Sequence, residues 1–187
     1  MDNYRILCTG NPNKPGIPNA VSKYFTNTTF ISLSNGYDLI TYEGQSKFRD
    51  IIKNCNVFIN VAQLSNGAQE TLLRIAHDVG MQGHVFNIGS IAEYKRWEWY
   101  DGKYTEEKRN LREASLELCT EFFKTTHIVV GGFQDATSDH PDRMDPKEIV
   151  NAIQYILNST VNIPIIGVEK INDIKMQKQL KVQNGKV

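Results

Sequence analysis

The chain has 187 residues and a mass of 21.3 kDa, which is enough for one well-cored domain and short for two. Hydrophobic residues make up 40% and charged residues 22%, as in an ordinary globular protein. The formal net charge is zero and the pI is about 6.9, which argues against binding nucleic acid or a membrane surface through bulk charge.

Cysteine and histidine usage indicates neither a disulfide framework nor a metal site. Cys8, Cys55 and Cys119 are widely spaced, form no Cys-x-x-Cys, and are typical of buried thiols in a reducing compartment. The four histidines lack ligand spacing. The N-terminus lacks a basic-then-apolar signal pattern, and no apolar run approaches the ~18 residues of a membrane span. We therefore expect a cytoplasmic protein.

The first predicted unit is a strand, a loop and a helix. Residues 4–8 are an apolar run, residues 9–18 are rich in glycine, proline and asparagine, and residues 19–25 are typical of a helix. This order opens dinucleotide-binding units, because glycines let the backbone approach a pyrophosphate at a helix N-terminus. Only Gly10 and Gly16 are present rather than a full Gly-x-Gly-x-x-Gly, so a plain surface loop explains this stretch alone equally well.

Strands and helices continue to alternate along the chain. Further strands are predicted over residues 29–34, 39–42 (very short), 56–62, 84–90, 127–130 and 163–168. Further helices are predicted over residues 46–55, 67–79, 105–124 and 146–157, the last with Asp145 as N-cap. The alternation predicts an α/β fold, a Rossmann-like doubly wound parallel β-sheet with helices on both faces. We expect one domain over residues 1–168 and a polar C-terminal tail over residues 169–187.

Several chemically suggestive residues stand where such a fold binds its ligands, at the carboxyl ends of strands. Ser90 ends one predicted strand, and Tyr104 and Lys108 lie four residues apart on the next helix, so they share one face. A lysine beside a tyrosine favours the phenolate and lowers the pKa of the phenol. These three side chains are a candidate acid/base apparatus for interconverting a carbonyl and an alcohol. Taken alone, the Tyr-x-x-x-Lys pair is as often a solvated helix face.

The order of these features resembles a compact, divergent short-chain dehydrogenase/reductase. The resemblance covers residues 4–168 and rests on the following stretches: Thr9-Gly10 with Gly16-Ile17, Asn60-Val61-Ala62, Ser90, Tyr104-x-x-x-Lys108, Gly131-Gly132-Phe133 and Asp145-Pro146. It implies that hydride is transferred between a nicotinamide cofactor and a small carbonyl or alcohol substrate.

The resemblance also implies roles for four catalytic residues. Tyr104 would be the general acid/base, and Lys108 would hold the nicotinamide ribose and lower the pKa of Tyr104. Ser90 would orient and polarise the substrate carbonyl. The family's further catalytic asparagine has its match in Asn66.

Cofactor binding is implied for a longer set: Thr9, Gly10, Asn13, Lys14, Gly16, Ile17, Ser34, Asn60, Ala62, Lys108, Gly131 and Gly132. Residues 9–16 would wrap the pyrophosphate, and Asn60 and Ala62 would line the adenosine-ribose side. Ser34 stands where an acid would accept the ribose hydroxyls of NAD, and Lys14 is placed to meet a 2′-phosphate. NADP(H) is therefore favoured over NAD(H), with a solvated loop lysine as the alternative.

The sequence departs from the family pattern in the cofactor loop and after two strands. Pro18 falls where the third glycine is expected, Gln63 follows Ala62, and Gly131 replaces a proline. The alternative function is thus a catalytically impaired Rossmann-fold protein that binds a nucleotide or a protein partner for regulation. A third interpretation is an unrelated nucleotide-binding α/β protein. Family members usually pair through the helices that flank the Ser90 strand, so we expect a homodimer or homotetramer, supported by apolar residues over 111–123.

Overall fold

Six parallel strands form a single sheet in the computed structural model, which describes residues 4–62, 67–94, 102–135 and 143–170. The strands are β1 (Ile6–Thr9), β2 (Thr28–Ile31), β3 (Val57–Asn60), β4 (Gly83–Ile88), β5 (Phe123–Val130) and β6 (Ile165–Val168). Their order across the sheet is β2-β1-β3-β4-β5-β6, and every neighbouring pair is parallel. The predicted α/β Rossmann-like fold is confirmed.

Five helices cover the two faces of this sheet within the described residues: α1 (Ile17–Tyr24), α2 (Tyr42–Ile52), α3 (Ala68–Asp78), α4 (Gly102–Glu117) and α5 (Lys147–Leu157). Successive strand residues point to opposite faces, so Cys8 packs with α1 and α5 whereas Leu7 packs with α2, α3 and α4. Strands buried on both faces explain the continuous apolar runs in the sequence. None of these helices is long and apolar enough to cross a membrane.

The predicted short strand over residues 39–42 is wrong. Leu39 is buried in the core, and Thr41 caps α2 by accepting a hydrogen bond on Oγ1 from the Gly44 amide at 3.2 Å. The cap starts the helix at Tyr42, four residues before the predicted start at residue 46. A threonine side chain that accepts from the first turn thus outweighs the β-leaning character of the short apolar run.

The predicted helix over residues 105–124 is too long at its C-terminal end. α4 ends at Glu117, and β5 already begins at Phe123. Thr120 makes the turn between them: its amide donates to the Phe123 carbonyl at 2.9 Å, and its hydroxyl accepts from the Phe123 amide at 3.0 Å. Leu111, Ala114 and Phe123 face the core, so part of the apolar stretch over residues 111–123 serves the protein interior, whereas Leu116 and Phe122 are exposed.

Candidate functional site

A cleft of about 210 Å³ opens at the carboxyl ends of the central strands. Six of the predicted site residues line it: Ile17, Ser90, Tyr104, Lys108, Gly131 and Gly132. These residues come from the loops after two strands, β4 and β5, and from two helices, α1 and α4. They meet because parallel strands bring all of their carboxyl ends to one edge of the sheet.

Lys108 is anchored at the floor of this cleft. Its residue is only 5% exposed, and its Nζ donates to Gln69 Oε1 at 2.5 Å and to the Ile88 carbonyl at 2.9 Å. Burial lowers the pKa of Lys108 to about 8, although the negative charges of Glu93 and Glu107 oppose that shift. An ammonium carries three N–H donors, so one remains beyond these two contacts for a ligand in the cleft.

Tyr104 lies one helical turn before Lys108 and lines the same cleft. The Lys108 Nζ is 5.6 Å from the centroid of the Tyr104 ring, within the range of a cation–π contact. The two side chains share one face of α4, which places the charge of the lysine beside the phenol.

Ser90 is oriented as a hydrogen-bond donor toward the cleft. Two residues beyond the end of β4, it caps a short 3₁₀ turn (Ile91–Glu93), and its Oγ accepts from the Ala92 amide at 3.2 Å. Because that oxygen already accepts, its own O–H is left to donate, and none of the described residues accepts from it. The Ser90 residue is 7% exposed, and what it exposes faces the cleft.

Glu93, directly behind Ser90, is a site residue that sequence reasoning missed. Its carboxylate is fully buried: Oε1 lies 2.9 Å from His127 Nε2, and Oε2 lies 3.2 Å from Arg112 Nη1. Oε1 also accepts from the Ser90 amide at 3.3 Å. The spacing Ser90-x-x-Glu93 is that of a capping box, so a local signal for this contact was present in the sequence.

Gln69 on α3 is a second missed residue, and it holds Lys108. Besides accepting from Lys108, its side chain donates from Nε2 to the Asn60 carbonyl at 2.8 Å and to the Ile88 carbonyl at 3.3 Å. It therefore joins the ends of β3 and β4 to α4. No sequence signal marked it, and Asn66, the predicted catalytic asparagine, lies outside the described residues.

Thr9 and Asn60, both predicted to contact the cofactor, turn their side chains into the protein. Thr9 Oγ1 accepts from the Val61 and Ala62 amides at 2.8 and 2.9 Å. Asn60 Nδ2 donates to the Gln69 carbonyl at 2.8 Å. These hydrogen bonds tie β1 to the end of β3 and β3 to α3, and both residues are 0% exposed, so neither is open to a ligand.

The glycine loop before α1 is organised by its own hydrogen bonds. Asn19 Nδ2 donates to the Pro12 carbonyl at 2.7 Å, and the Asn13 amide donates to Asn11 Oδ1 at 2.9 Å. Gly10 has a φ of 117°, and a Cβ there would lie 2.6 Å from Pro18 Cγ, so Gly10 and Pro18 occupy one tight contact. Pro18 has no N–H, which removes one donor from the N-terminus of α1.

The loop also reaches the end of β2. Asn11 Nδ2 donates to Ser34 Oγ at 3.0 Å, which brings the predicted adenosine-side serine against the glycine loop. Lys14 is exposed on the same loop and forms no ion pair with any residue in the described part of the chain. A cation and a serine hydroxyl therefore flank this part of the loop.

Comparisons with known proteins give a structural likeness and no sequence match. No family model matches the chain, and no curated protein matches it. A short-chain dehydrogenase from Burkholderia cenocepacia J2315 in complex with NADP is 12% identical, with 95% of this chain and 96% of that chain covered and a TM-score of 0.74. A bulky-bulky ketone specific alcohol dehydrogenase from Comamonas testosteroni is 14% identical, with 98% and 94% covered and a TM-score of 0.67.

A third solved structure, an oxidoreductase of the short-chain dehydrogenase/reductase family from Brucella ovis with a partially ordered NAD, is 16% identical. The match covers 89% of this chain and 100% of the Brucella ovis chain, with a TM-score of 0.61. The chain thus has the fold of short-chain dehydrogenases/reductases. Likenesses at this level of identity show the fold alone.

Proposed function

We propose that the protein is an NAD(P)-dependent oxidoreductase that transfers hydride between a nicotinamide cofactor and a small carbonyl or alcohol. The observation that carries the proposal is the meeting of Ser90, Tyr104 and Lys108 in one cleft at the carboxyl ends of the strands. In a fold shared with dehydrogenases, that position is where a cofactor and a substrate would lie side by side. The cofactor, when bound, supplies or accepts the hydride.

The side chains of the cleft divide the remaining work. In reduction, the Tyr104 hydroxyl gives its proton to the substrate oxygen, and in oxidation the phenolate takes the alcohol proton. The Ser90 hydroxyl donates a hydrogen bond to the same substrate oxygen and polarises the carbonyl. Lys108 stabilises the phenolate through its charge, and its remaining N–H donor would hold a ribose hydroxyl.

The burial of Lys108 favours an active enzyme over a catalytically impaired binding protein. Holding an amine at 5% exposure costs stability, because desolvation disfavours its charged form. Binding a nucleotide or a protein partner alone does not require a buried amine next to a tyrosine, so the loss of stability would bring no benefit. Strongly perturbed lysines in clefts are typical of catalytic sites.

The residues present fit a dinucleotide in most respects. The glycine loop, held by its own hydrogen bonds, leads into the N-terminus of α1, and the far wall of the cleft includes two residues without side chains, Gly131 and Gly132. Pro18 is the exception, since it removes one donor from the helix N-terminus. Lys14 is exposed on the loop whose Asn11 contacts Ser34, a placement that would suit a 2′-phosphate, so we propose that NADP(H) is preferred over NAD(H).

Thermal denaturation with NADPH or NADH tests this function. A ligand that binds only the folded protein raises the melting temperature by mass action, and isothermal titration gives the affinity. ATP is the control, because it shares the adenosine phosphates and lacks the nicotinamide. We expect a shift with NADPH that exceeds the shift with ATP. No shift with either dinucleotide at millimolar concentration contradicts the proposal.

A further inference from the structure

Glu93 is a buried carboxylate that the reaction as described does not use. The residue is 2% exposed, and its side chain is completely enclosed. A buried charge of this kind is costly unless each oxygen has a partner. Here His127 and the Ser90 amide share Oε1, and Arg112 holds Oε2.

The contact between Glu93 and Ser90 is reciprocal. The Glu93 amide donates to the Ser90 carbonyl at 3.1 Å, while Glu93 Oε1 accepts from the Ser90 amide at 3.3 Å. Ser90 is held with φ of −151° and ψ of 145°, and its Oγ is fixed in turn by the Ala92 amide. The direction in which the Ser90 hydroxyl donates thus depends on the turn that Glu93 closes.

Gly89 is shaped to admit this carboxylate. A Cβ at Gly89 would lie 2.2 Å from His127 Nε2 and 2.8 Å from Glu93 Oε1. The imidazole and the carboxylate therefore occupy the space that a side chain would take, directly under the strand end that carries Ser90. The position of Glu93 is fixed from three sides, by β4, by β5 through His127 and by α4 through Arg112.

We propose that Glu93 is a positioning residue for the reaction: it holds the Ser90 amide and so aims the Ser90 hydroxyl at the substrate oxygen. The inference rests on the proposed function, in which Ser90 touches the substrate. For this role, the distance from a Glu93 carboxylate oxygen to the Ser90 amide matters more than the negative charge of Glu93. The Arg112 side chain is 20% exposed, and the carboxylate of Glu113 lies 3.9 Å from its Nη2. The Arg112 guanidinium therefore keeps a carboxylate nearby when Glu93 is replaced.

Two substitutions separate reach from charge. Glu93→Gln removes the charge and keeps an oxygen at the same distance from the backbone, so the Ser90 amide keeps its acceptor, while the amide nitrogen that replaces Oε2 no longer accepts from Arg112. Glu93→Asp keeps the charge and withdraws the oxygens by one methylene group. Glu113→Ala is the matched control, because it removes the other partner of Arg112 and does not touch Ser90.

The assay is NADPH oxidation with acetone, benzaldehyde and diacetyl, followed with whichever of these the parent protein reduces fastest. We expect Glu93→Asp to lower kcat by ~10-fold or more, since losing one donor to the reacting oxygen costs about 10²–10³ and misdirecting it costs part of that. Glu93→Gln retains more of the parent kcat than Glu93→Asp does, and Glu113→Ala stays within about threefold of the parent. NADPH affinity, measured by calorimetry, is unchanged in all three.

A double-mutant cycle with Ser90→Ala shows whether Glu93 acts through Ser90. We expect Glu93→Asp to lower kcat in the parent and to have no further effect once Ser90 is alanine. A full additional loss in the Ser90→Ala background overturns the inference, as does a parent-like kcat in Glu93→Asp. If Glu93→Asp does not fold, Glu93→Ala replaces it in the cycle with the same two outcomes, and a loss of ~10-fold or more in Glu93→Gln overturns the inference.

The same data separate this inference from the proposed function. A loss of kcat in Ser90→Ala without any loss in Glu93→Asp leaves the proposed function intact and removes the role of Glu93. A Ser90→Ala protein with parent-like kcat contradicts the proposed use of Ser90 itself, and the inference falls with it.

Discussion

Lys108 gives a prediction that needs no substrate, because its burial makes stability depend on pH. Burial lowers its pKa from the ordinary 10.5 to about 8 in the folded protein, against the opposing charges of Glu93 and Glu107. Between these two values the unfolded chain binds more protons than the folded one, so stability rises as pH rises through this range. The full shift of the Lys108 pKa changes the free energy of unfolding by about 3 kcal/mol, at ~1.36 kcal/mol per pKa unit.

The effect can be isolated by comparison with Lys108→Met, which has a side chain of similar length and no titrating group. The substitution leaves the acceptors on Gln69 and Ile88 without their donor, and this cost is the same at every pH. Other titrating groups cancel in the comparison. From about pH 7 to about pH 9 the stability of the parent should rise relative to Lys108→Met by ~1.3 kcal/mol.

Urea denaturation of the cofactor-free proteins, followed by circular dichroism at several pH values, measures this difference. Lys103→Met, on an exposed position of the same helix, is the control for removing a lysine. A stability difference between parent and Lys108→Met that stays constant with pH, or that moves in the opposite direction, refutes the reasoning about this amine.

The remaining predictions concern the cofactor, Ser90, acid stability and assembly. Lys14→Ala should erase a preference for NADPH over NADH that amounts to ~1.5–3 kcal/mol, with Lys53→Ala as control; equal calorimetric affinities in the parent would contradict it. Ser90→Ala should lower kcat by about 10²–10³ at unchanged NADPH affinity, because one donor to the reacting oxygen is lost. Burial, and to a smaller extent Lys124, lower the pKa of His84 from 6.5 to about 4, so the unfolded chain binds more protons between those values. The parent should therefore lose ~2 kcal/mol of stability relative to His84→Gln on going from neutral pH to about pH 5, with His77→Gln as control; a constant difference speaks against it. A homodimer or homotetramer that pairs through α3 and α4 should appear in light scattering; a monomeric mass at micromolar protein contradicts it.

The buried framework could be predicted from the sequence because it rests on local patterns. Leu7, Phe58 and Val85 are completely buried in continuous apolar runs, as expected of parallel strands covered on both faces. Tyr104 and Lys108 meet because spacing on a helix is a local property. The ends of helices and strands were less predictable. The turn at Thr120, between the end of α4 and the start of β5, depends on a hydrogen bond to the Thr120 hydroxyl, which a hydropathy pattern does not show.

The contacts that hold the site together are long-range and could not be read from the sequence. Lys108 and Gln69 are 39 residues apart, and Glu93 and His127 are 34 apart, so only the sheet order brings them into contact. The direction of the Asn60 side chain could not be predicted for the same reason. Its place at a strand end was predictable, but the turn of its side chain toward α3 follows from the packing of that helix.

The most direct measurement of the central claim compares the parent with Tyr104→Phe in two assays, NADPH oxidation with a small carbonyl and calorimetric NADPH binding. The substitution removes the phenol hydroxyl, and with it the exchangeable proton, while the ring and its contact with the Lys108 ammonium remain. We predict that turnover is abolished while NADPH affinity is nearly unchanged. Full turnover in Tyr104→Phe would contradict the account, because the protonation of the substrate oxygen would then come from another group.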